Sequence, residues 1–451
     1  MKRNPVFFVL LVPLLAAAAP ADTGDVVSAI NALGLDLYRI QPGDGNLLLS
    51  PYSIQDTLAM TYAGAAGDTR AEMQRVLHYP ADDTALHGGF AELAQELAQI
   101  QHDSAQIVAE FKPAAPVTPV NPTTPADPNQ LVPEPEPSEG PPGRHPSTPV
   151  ELHVANRLFI QNGYPLRAPF LALVKDNYGA EPEPLDFINA TEEARSTIND
   201  WVEKQTKEKI RDLIPPGGVT GKTRLALANA IYLHAGWDEP FDADWTKSAE
   251  FFVHGTDSEM VPTMTNEEHD YGYLHRDGFT AVSLHYIGGG IQFLILLPDA
   301  HDGLPALEHK LTPELLAECA NLPPSFVNLY LPKFKLEPPS MALGSQLQQL
   351  GLKTAFDVPK GSANFDRMAP RKPDDYLAIS DVFHKAFLSL DEDGTEAAAA
   401  TVVVVMEAAT AMMDENRPQP IEVHVDHPFI FAIQHVPSGE CLFLGRVTDP
   451  R

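Results

Sequence analysis

The chain has 451 residues, 44% of them hydrophobic, and a formal net charge of −30. That length can bury a large core, and that charge excludes nucleic acid and anionic membranes as expected partners, since both would repel the surface. Cys319 and Cys441 are the only cysteines, and a core of this size needs no disulfide, so both are expected as buried thiols.

At the amino end, Met1, Lys2 and Arg3 precede an almost unbroken apolar run from Val6 to Leu15. Ala19-Pro20-Ala21 then reads as a small-x-small cleavage signal. Residues 1–21 are therefore expected to be a secretory signal peptide, and 22–451 a single mature domain, extracellular or periplasmic. No later segment is apolar over the ~18 residues that a membrane span requires.

Helical patterns cover Asp25 to Tyr38, Ser50 to Ala65, Thr69 to Leu77 and Phe90 to Glu110. Ser50-Pro51 is a start signal, with serine as cap and proline in the first turn, where its missing N–H is harmless. From Pro113 to Pro149 the chain carries 13 of its 43 prolines. Proline removes amide donors and fixes φ, so 112–150 is expected to be a solvated, extended, disordered insert within the domain. Beyond it, Glu151 to Ile160 reads as a strand, Pro169 to Asn177 as a helix, and Thr191 to Leu213 as a long amphipathic helix. Leu225 to Leu233, Thr280 to His285, Gln292 to Leu297 and Val327 to Leu331 read as strands. Helices first and strands later, without a βα repeat, give an α+β architecture.

Motifs for chemistry are scarce. Gly217, Gly221, Lys222 and Thr223 fall one residue short of phosphate-loop spacing and lack a leading apolar strand, so they read as a polar turn. No nucleophile elbow, zinc-protease helix or paired CxxC is present. His424, Asp426 and His427 offer metal-ligand types, but strand alternation puts His427 on the face opposite the other two. No catalytic residue, metal or cofactor is expected, and the chain is not read as an enzyme. Asn189-Ala190-Thr191 is a glycosylation sequon whose ordinary role is to cap the following helix.

The segment Glu392 to Met413 stands apart. Four alanines, Ala397 to Ala400, run into four valines, Val402 to Val405, and then into an acidic, proline-containing tail. Adjacent valines favour a strand, yet the flanks are those of a loop. Such a segment has two available homes.

Several stretches together resemble the serpin family. Asn46 to Ile54 is similar to its N-x-x-x-S-P-x-S-I segment, and Asn229 to Trp237 with Phe241 to N-A-x-Y-F-K-G-x-W, departing at Leu233, His234 and Ala235. Leu331 to Lys335 resembles L-P-K-F-K, and Leu350-Gly351-Leu352 with Ala355-Phe356 resembles L-G-[LM]-x-x-A-F. Ile379 to Ala386 resembles I-S-x-V-x-H-K-A, while Asp426 to Phe431 and Phe443 to Val447 resemble the two closing strands. The resemblance implies a serpin fold: a large central mixed β-sheet, two smaller sheets, eight or nine helices and an exposed reactive-centre loop, here about 392–420.

The family's inhibitory hinge stands unaltered as Glu392, Gly394, Thr395, Glu396, Ala397, Ala398, Ala399, Ala400 and Thr401 around Asp393. What the resemblance implies is a suicide substrate: a serine (or cysteine) protease attacks the loop, and the cut loop inserts into the main sheet with the protease attached. Thr395, Ala397, Ala399 and Thr401 would face the core and Glu396 the solvent. Ser50, Ser53, Asn199 and His384 are expected in the polar cluster where the sheet opens, with His384 buried and neutral. The family's count from Glu392 sets the reactive bond at Ala408-Ala409, with Thr410, Ala411 and Met412 as alternatives because the tail is longer than usual. A small residue there suits an elastase-like or subtilisin-like target. The helix that some relatives use for sulfated polysaccharides carries no Lys or Arg between Ala91 and Glu110, so glycosaminoglycan binding is not expected, and the molecule is expected to be a monomer. The competing reading is a non-inhibitory serpin-fold carrier, chaperone or structural partner, which a charged, bulky or proline-bearing hinge would favour.

Overall fold

A computed structural model describes residues 23–41, 43–110, 147–253, 257–396 and 419–451. The expected signal peptide, residues 111–146 of the insert, and residues 397–418 of the loop lie outside the described residues.

The first half supplies α1 (Gly24–Arg39), β1 (Leu47–Leu49), α2 (Pro51–Gly64), α3 (Gly67–Val76), α4 (Asp83–Glu110), β2 (Glu151–Gln161), α5 (Ala168–Tyr178), β3 (Glu183–Leu185), α6 (Thr191–Gln205) and β4 (Leu225–Gly236). Then come β5 (Lys247–Val253), β6 (Asp257–Arg276), β7 (Phe279–His285), β8 (Ile291–Pro298), α7 (Leu304–Lys310), α8 (Pro313–Cys319), β9 (Pro324–Pro332), β10 (Phe334–Leu336), β11 (Met341–Ala342) and α9 (Gly344–Gln349). The chain closes with β12 (Ile379–Leu390), β13 (Gly394–Thr395), β14 (Ile421–His424), β15 (Phe429–His435) and β16 (Glu440–Val447).

The expected α+β architecture is present, with mixed sheets and nine α-helices among the described residues. One sheet runs β10-β12-β13-β4-β2-β3, with β12 and β4 also parallel neighbours below β13. The other runs β1-β16-β15-β8-β7-β6-β9-β14. The two smaller sheets expected from the sequence are thus joined into one. The join is the 20-residue β6, which pairs β5 near its start and β7 near its end, and β9 on both sides of a bulge between Asn266 and His269.

Helix α2 lies between the sheets, packing on β16 of one and on β2 and β4 of the other. Ser50 caps it by accepting the Ser53 N–H, and Pro51 occupies its first turn. Nearly every residue of this helix is buried, so its polar side chains must find partners inside the protein. A second, smaller core covers the opposite face of the mixed sheet, where Ile198 and Val202 of α6 meet Ala226, Ala228 and Phe383.

Two boundaries differ from the sequence expectation. Helix α4 starts at Asp83 rather than Phe90, because Asp82 caps Thr84 N at 2.8 Å and the apparent break at Gly88-Gly89 serves packing. A Cβ on Gly89 would lie 2.6 Å from Val26 Cγ2. Helix α6 ends at Gln205 rather than near Leu213, since Thr206 Oγ1 takes the Ile210 N–H and Lys207, Glu208 and Asp212 adopt positive φ. Residues 147–150, at the end of the expected insert, are docked: Gly236 N donates to Thr148 O at 3.0 Å and Val150 is buried. Both cysteines are free and buried.

Candidate functional site: the hinge and the cluster beneath it

The residues that end in the hinge are held by backbone bonds to the turn after β4. Trp237 N donates to Asp393 O and Phe241 N to Glu392 O, each at 2.9 Å. Trp237 Nε1 donates to Asp391 O at 3.0 Å, and its ring stacks on Tyr286 with centroids 4.6 Å apart. Glu392 is gripped by Lys333 at 2.6 Å and by the Thr246 hydroxyl at 2.7 Å. Burial alone would raise its carboxyl pKa, but these donors outweigh burial and hold it below the usual range. Burial does prevail at Asp391, which is pushed up to about 6.

Gly394 and Thr395 then form β13, a strand of two residues lying between β12 and β4 and antiparallel to both. Thr395 faces Leu390 on one side and Ala235 on the other. Only glycine fits at 394, where φ is +149° and a Cβ would sit 2.1 Å from Ala235 O. Thr395 is fully buried and its hydroxyl meets that of Tyr286, while Glu396 turns out to Lys209. Below this point the intervening strand stops, and β12 and β4 pair directly in parallel from Phe387 opposite Tyr232 down to Ile379 opposite Leu225.

A polar cluster lies along this seam. Ser50 N–H donates to His384 Nε2 at 3.2 Å, so Nε2 is the acceptor and His384 Nδ1 carries the proton that meets Asn229 Oδ1. Asn229 Nδ2 lies 2.6 Å from Ser53 Oγ, 2.8 Å from Asn156 Oδ1 and 3.1 Å from Thr57 Oγ1. Ser53 Oγ donates to Asn156 Oδ1 at 2.8 Å, and Ser50 Oγ to Leu442 O at 2.7 Å. His384 is fully buried, and desolvation pushes its pKa down to about 3, so it is neutral. His384 and Asn229 are direct partners across the seam.

The structure therefore brings Ser50, Ser53 and His384 together, and it separates Asn199 from them. Asn199 instead braces the chain after α6, accepting Ile214 N–H at 2.8 Å and donating to Ile214 O at 3.0 Å. Its place beneath the sheet is taken by Asn229 and Asn156, with Thr57. Sequence reasoning missed both asparagines. The available signal was the Asn229-Ala230-Ile231-Tyr232 stretch: a polar side chain inside a fully buried strand needs a partner. Of the hinge residues, Glu392 to Glu396 are placed as above. Ala397, Ala398, Ala399, Ala400 and Thr401, and the bond candidates Ala408, Ala409, Thr410, Ala411 and Met412, lie outside the described residues.

A two-residue strand thus lies at one end of a seam where two parallel strands otherwise pair directly. The family profile described as "Serpin (serine protease inhibitor)" matches residues 28–450. Leukocyte elastase inhibitor of Sus scrofa is 35% identical over 94% of this chain and 99% of its own length. An uncharacterized serpin-like protein of Thermococcus kodakarensis is 34% identical, over 94% of this chain and 86% of its own. The crystal structure of Serpin48, a highly specific serpin in the insect Tenebrio molitor, aligns with a TM-score of 0.73 at 28% identity, covering 95% of this chain and 98% of that one. Uncleaved ovalbumin aligns with the same TM-score at 26% identity, covering 95% and 100%. The chain belongs to the serpin family.

Proposed function

We propose that this serpin is a secreted, single-use inhibitor of serine proteases, with elastase-like or subtilisin-like targets. The observation that carries the reading is β13: two hinge residues already lie between β12 and β4 and run antiparallel to both, as a strand continuing down the seam would. The target's serine hydroxyl attacks the carbonyl carbon of Ala408, its proton passes through the protease's own base to the amine of Ala409, and the Ala408–Ala409 bond breaks. Ala408 remains esterified to the protease. The freed segment then inserts and carries the enzyme with it.

The register supports this route residue by residue. Extending β13 antiparallel to β4 sets Ala397 beside Leu233, Ala399 beside Ile231, Thr401 beside Asn229 and Val405 beside Leu225, the first residue of β4. On the other side Thr401 falls beside His384. Leu233, Ile231 and Leu225 belong to the main core, so the small and branched members of the segment enter an apolar interior and the threonine meets the one polar rung. Val402 to Val405 supply strand propensity at the far end. Ala408-Ala409 then lies past the end of the seam. The strongly acidic surface fits a monomer that binds neither nucleic acid nor glycosaminoglycan.

The test is incubation with elastase and with subtilisin, followed by denaturing gels and sequencing of the released carboxy-terminal peptide. A denaturation-resistant complex with a peptide beginning at Ala409 is expected. Cleavage without a complex and without a gain in thermal stability would leave the carrier or structural reading.

A further inference from the structure

Beyond the loop lies a second constellation that the sequence reading set aside. His301 follows β8 by three residues, and Asp426 and His427 fill the turn between β14 and β15. One ligand atom from each of the three lies within 4.8 Å of the other two. The alternation argument against His427 fails because residues 425–428 belong to no strand. His424, by contrast, is out of the group, stacked on Tyr330 with centroids 4.2 Å apart.

Three features prepare the group for a cation. His427 is buried, and its Nε2 lies 2.7 Å from Pro298 O, so Nε2 carries a proton and the ring is fixed. This is how metal-binding imidazoles are commonly oriented, with one nitrogen donating to a carbonyl and the other left as a lone pair. Nδ1 then faces Asp426 Oδ1 at 2.6 Å, a hydrogen-bond distance, so a metal ion would replace a proton on Nδ1 once the carboxylate swings aside. The His301 ring closes the third side, 4.9 Å from the His427 ring and stacked on Phe252 at 4.1 Å. The Asp426 backbone is itself anchored, its carbonyl accepting Phe252 N–H at 2.7 Å.

We propose that His301, Asp426 and His427 bind a divalent transition-metal ion, with zinc the best match to two imidazoles and one carboxylate. Water takes the fourth position on the exposed side, where His301 stands. Ligands about 2.0–2.1 Å from a tetrahedral zinc are about 3.3 Å apart, so binding turns the half-exposed Asp426 carboxylate outward by less than an ångström. The ion ties the turn after β14 to the exit of β8. That matters mechanically, because β14 pairs only with β9 among the described strands and is the first strand after the loop.

Cobalt(II) is the probe, since a tetrahedral nitrogen and oxygen site gives it a visible absorption band. Titration of the full chain at pH 7.5 should give one equivalent with this band, displaced by zinc, and zinc should raise the thermal midpoint. His301→Ala and Asp426→Asn should each lower affinity by about 100-fold or more and abolish the zinc-induced thermal shift. His424→Ala should retain both. His301 is exposed, so its replacement leaves the fold intact, and an unchanged far-ultraviolet spectrum checks this. No cobalt band in the unmodified protein, or a band that survives His301→Ala, overturns the proposal; the first outcome would assign His427 as an imidazolium donating to both Asp426 and Pro298.

Discussion

Replacing Thr401 by valine tests the inserted register directly. In the uncleaved protein, His384 Nδ1 meets Asn229 Oδ1 across the seam. A strand that enters between β12 and β4 separates these two buried groups and leaves one donor and one acceptor without partners. Each such loss costs about 1–3 kcal/mol. The hydroxyl of Thr401, on the same rung, is both donor and acceptor and can answer both. Valine keeps the branched shape and answers neither, so Thr401→Val should destabilise the inserted form by about 2–6 kcal/mol. The uncleaved form should be unaffected, because there the seam is closed by His384 and Asn229 themselves. Denaturant unfolding of loop-cleaved and uncleaved protein, side by side, reads the two states, and the number of inhibitor molecules consumed per protease should rise. Equal stability of cleaved wild type and variant, or an equal loss in the uncleaved form, would refute the register.

Three other outcomes are expected. Gly394→Ala places a methyl 2.1 Å from Ala235 O at φ +149°, so β13 must withdraw; uncleaved stability should fall by about 1–3 kcal/mol or more, and hydrogen exchange at Thr395 should rise. His384 has a folded pKa of about 3 against about 6.5 when unfolded, so below pH 6.5 the unfolded chain takes up a proton that the folded chain refuses. Its contribution is fully present above pH 6.5 and is lost as pH falls towards 3, at about 1.4 kcal/mol per pH unit; the stability advantage of wild type over His384→Gln should shrink at that slope, as read by chemical denaturation across pH 6.5 to 3. Ala408→Arg should redirect trapping to trypsin-like enzymes, seen as a denaturation-resistant complex; cleavage of the variant by trypsin without a complex would move the reactive bond to Thr410, Ala411 or Met412.

How much of this was legible depended on range along the chain. Periodicity and caps marked α1, α2, α5 and the buried strands nearly to their ends, because those signals are local. The fold class could be read from ordered motifs. The membership of the polar cluster could not, since His384 and Asn229 become partners only through the parallel pairing of β12 with β4, and no local pattern encodes that register. The place of Asn199 in a helix does not reveal its partner, Ile214, which lies in an irregular segment where three residues with positive φ break the helical pattern. The union of the smaller sheets was hidden for a similar reason: it depends on β6 pairing β5 near its start and β7 near its end. His301 and His427 are likewise distant in sequence, and the alternation rule used against His427 holds only inside a strand.

The placement of polar groups along the seam bears on why the sheet would stay closed until cleavage and then open. A seam sealed only by leucine and valine would resist separation along its whole length, and nothing in an apolar core distinguishes the right incoming residue from a wrong one. Here the middle rung is sealed by exchangeable hydrogen bonds of hydroxyl, amide and neutral imidazole groups. Such bonds are worth little net while made and a good deal when broken, so the closed state is held by the penalty for opening rather than by strong attraction. A threonine arriving on that rung removes the penalty; an apolar or charged residue would not. The hinge above is held differently. Glu396 meets Lys209 through one carboxylate oxygen, with its side chain 18% exposed. Glu392 is nearly buried and bound by both Lys333 and Thr246, so it is the firmer anchor. In the proposed mechanism the chain therefore pivots after Glu392, releases Glu396 from Lys209, and meets its main barrier at Asn229 and His384.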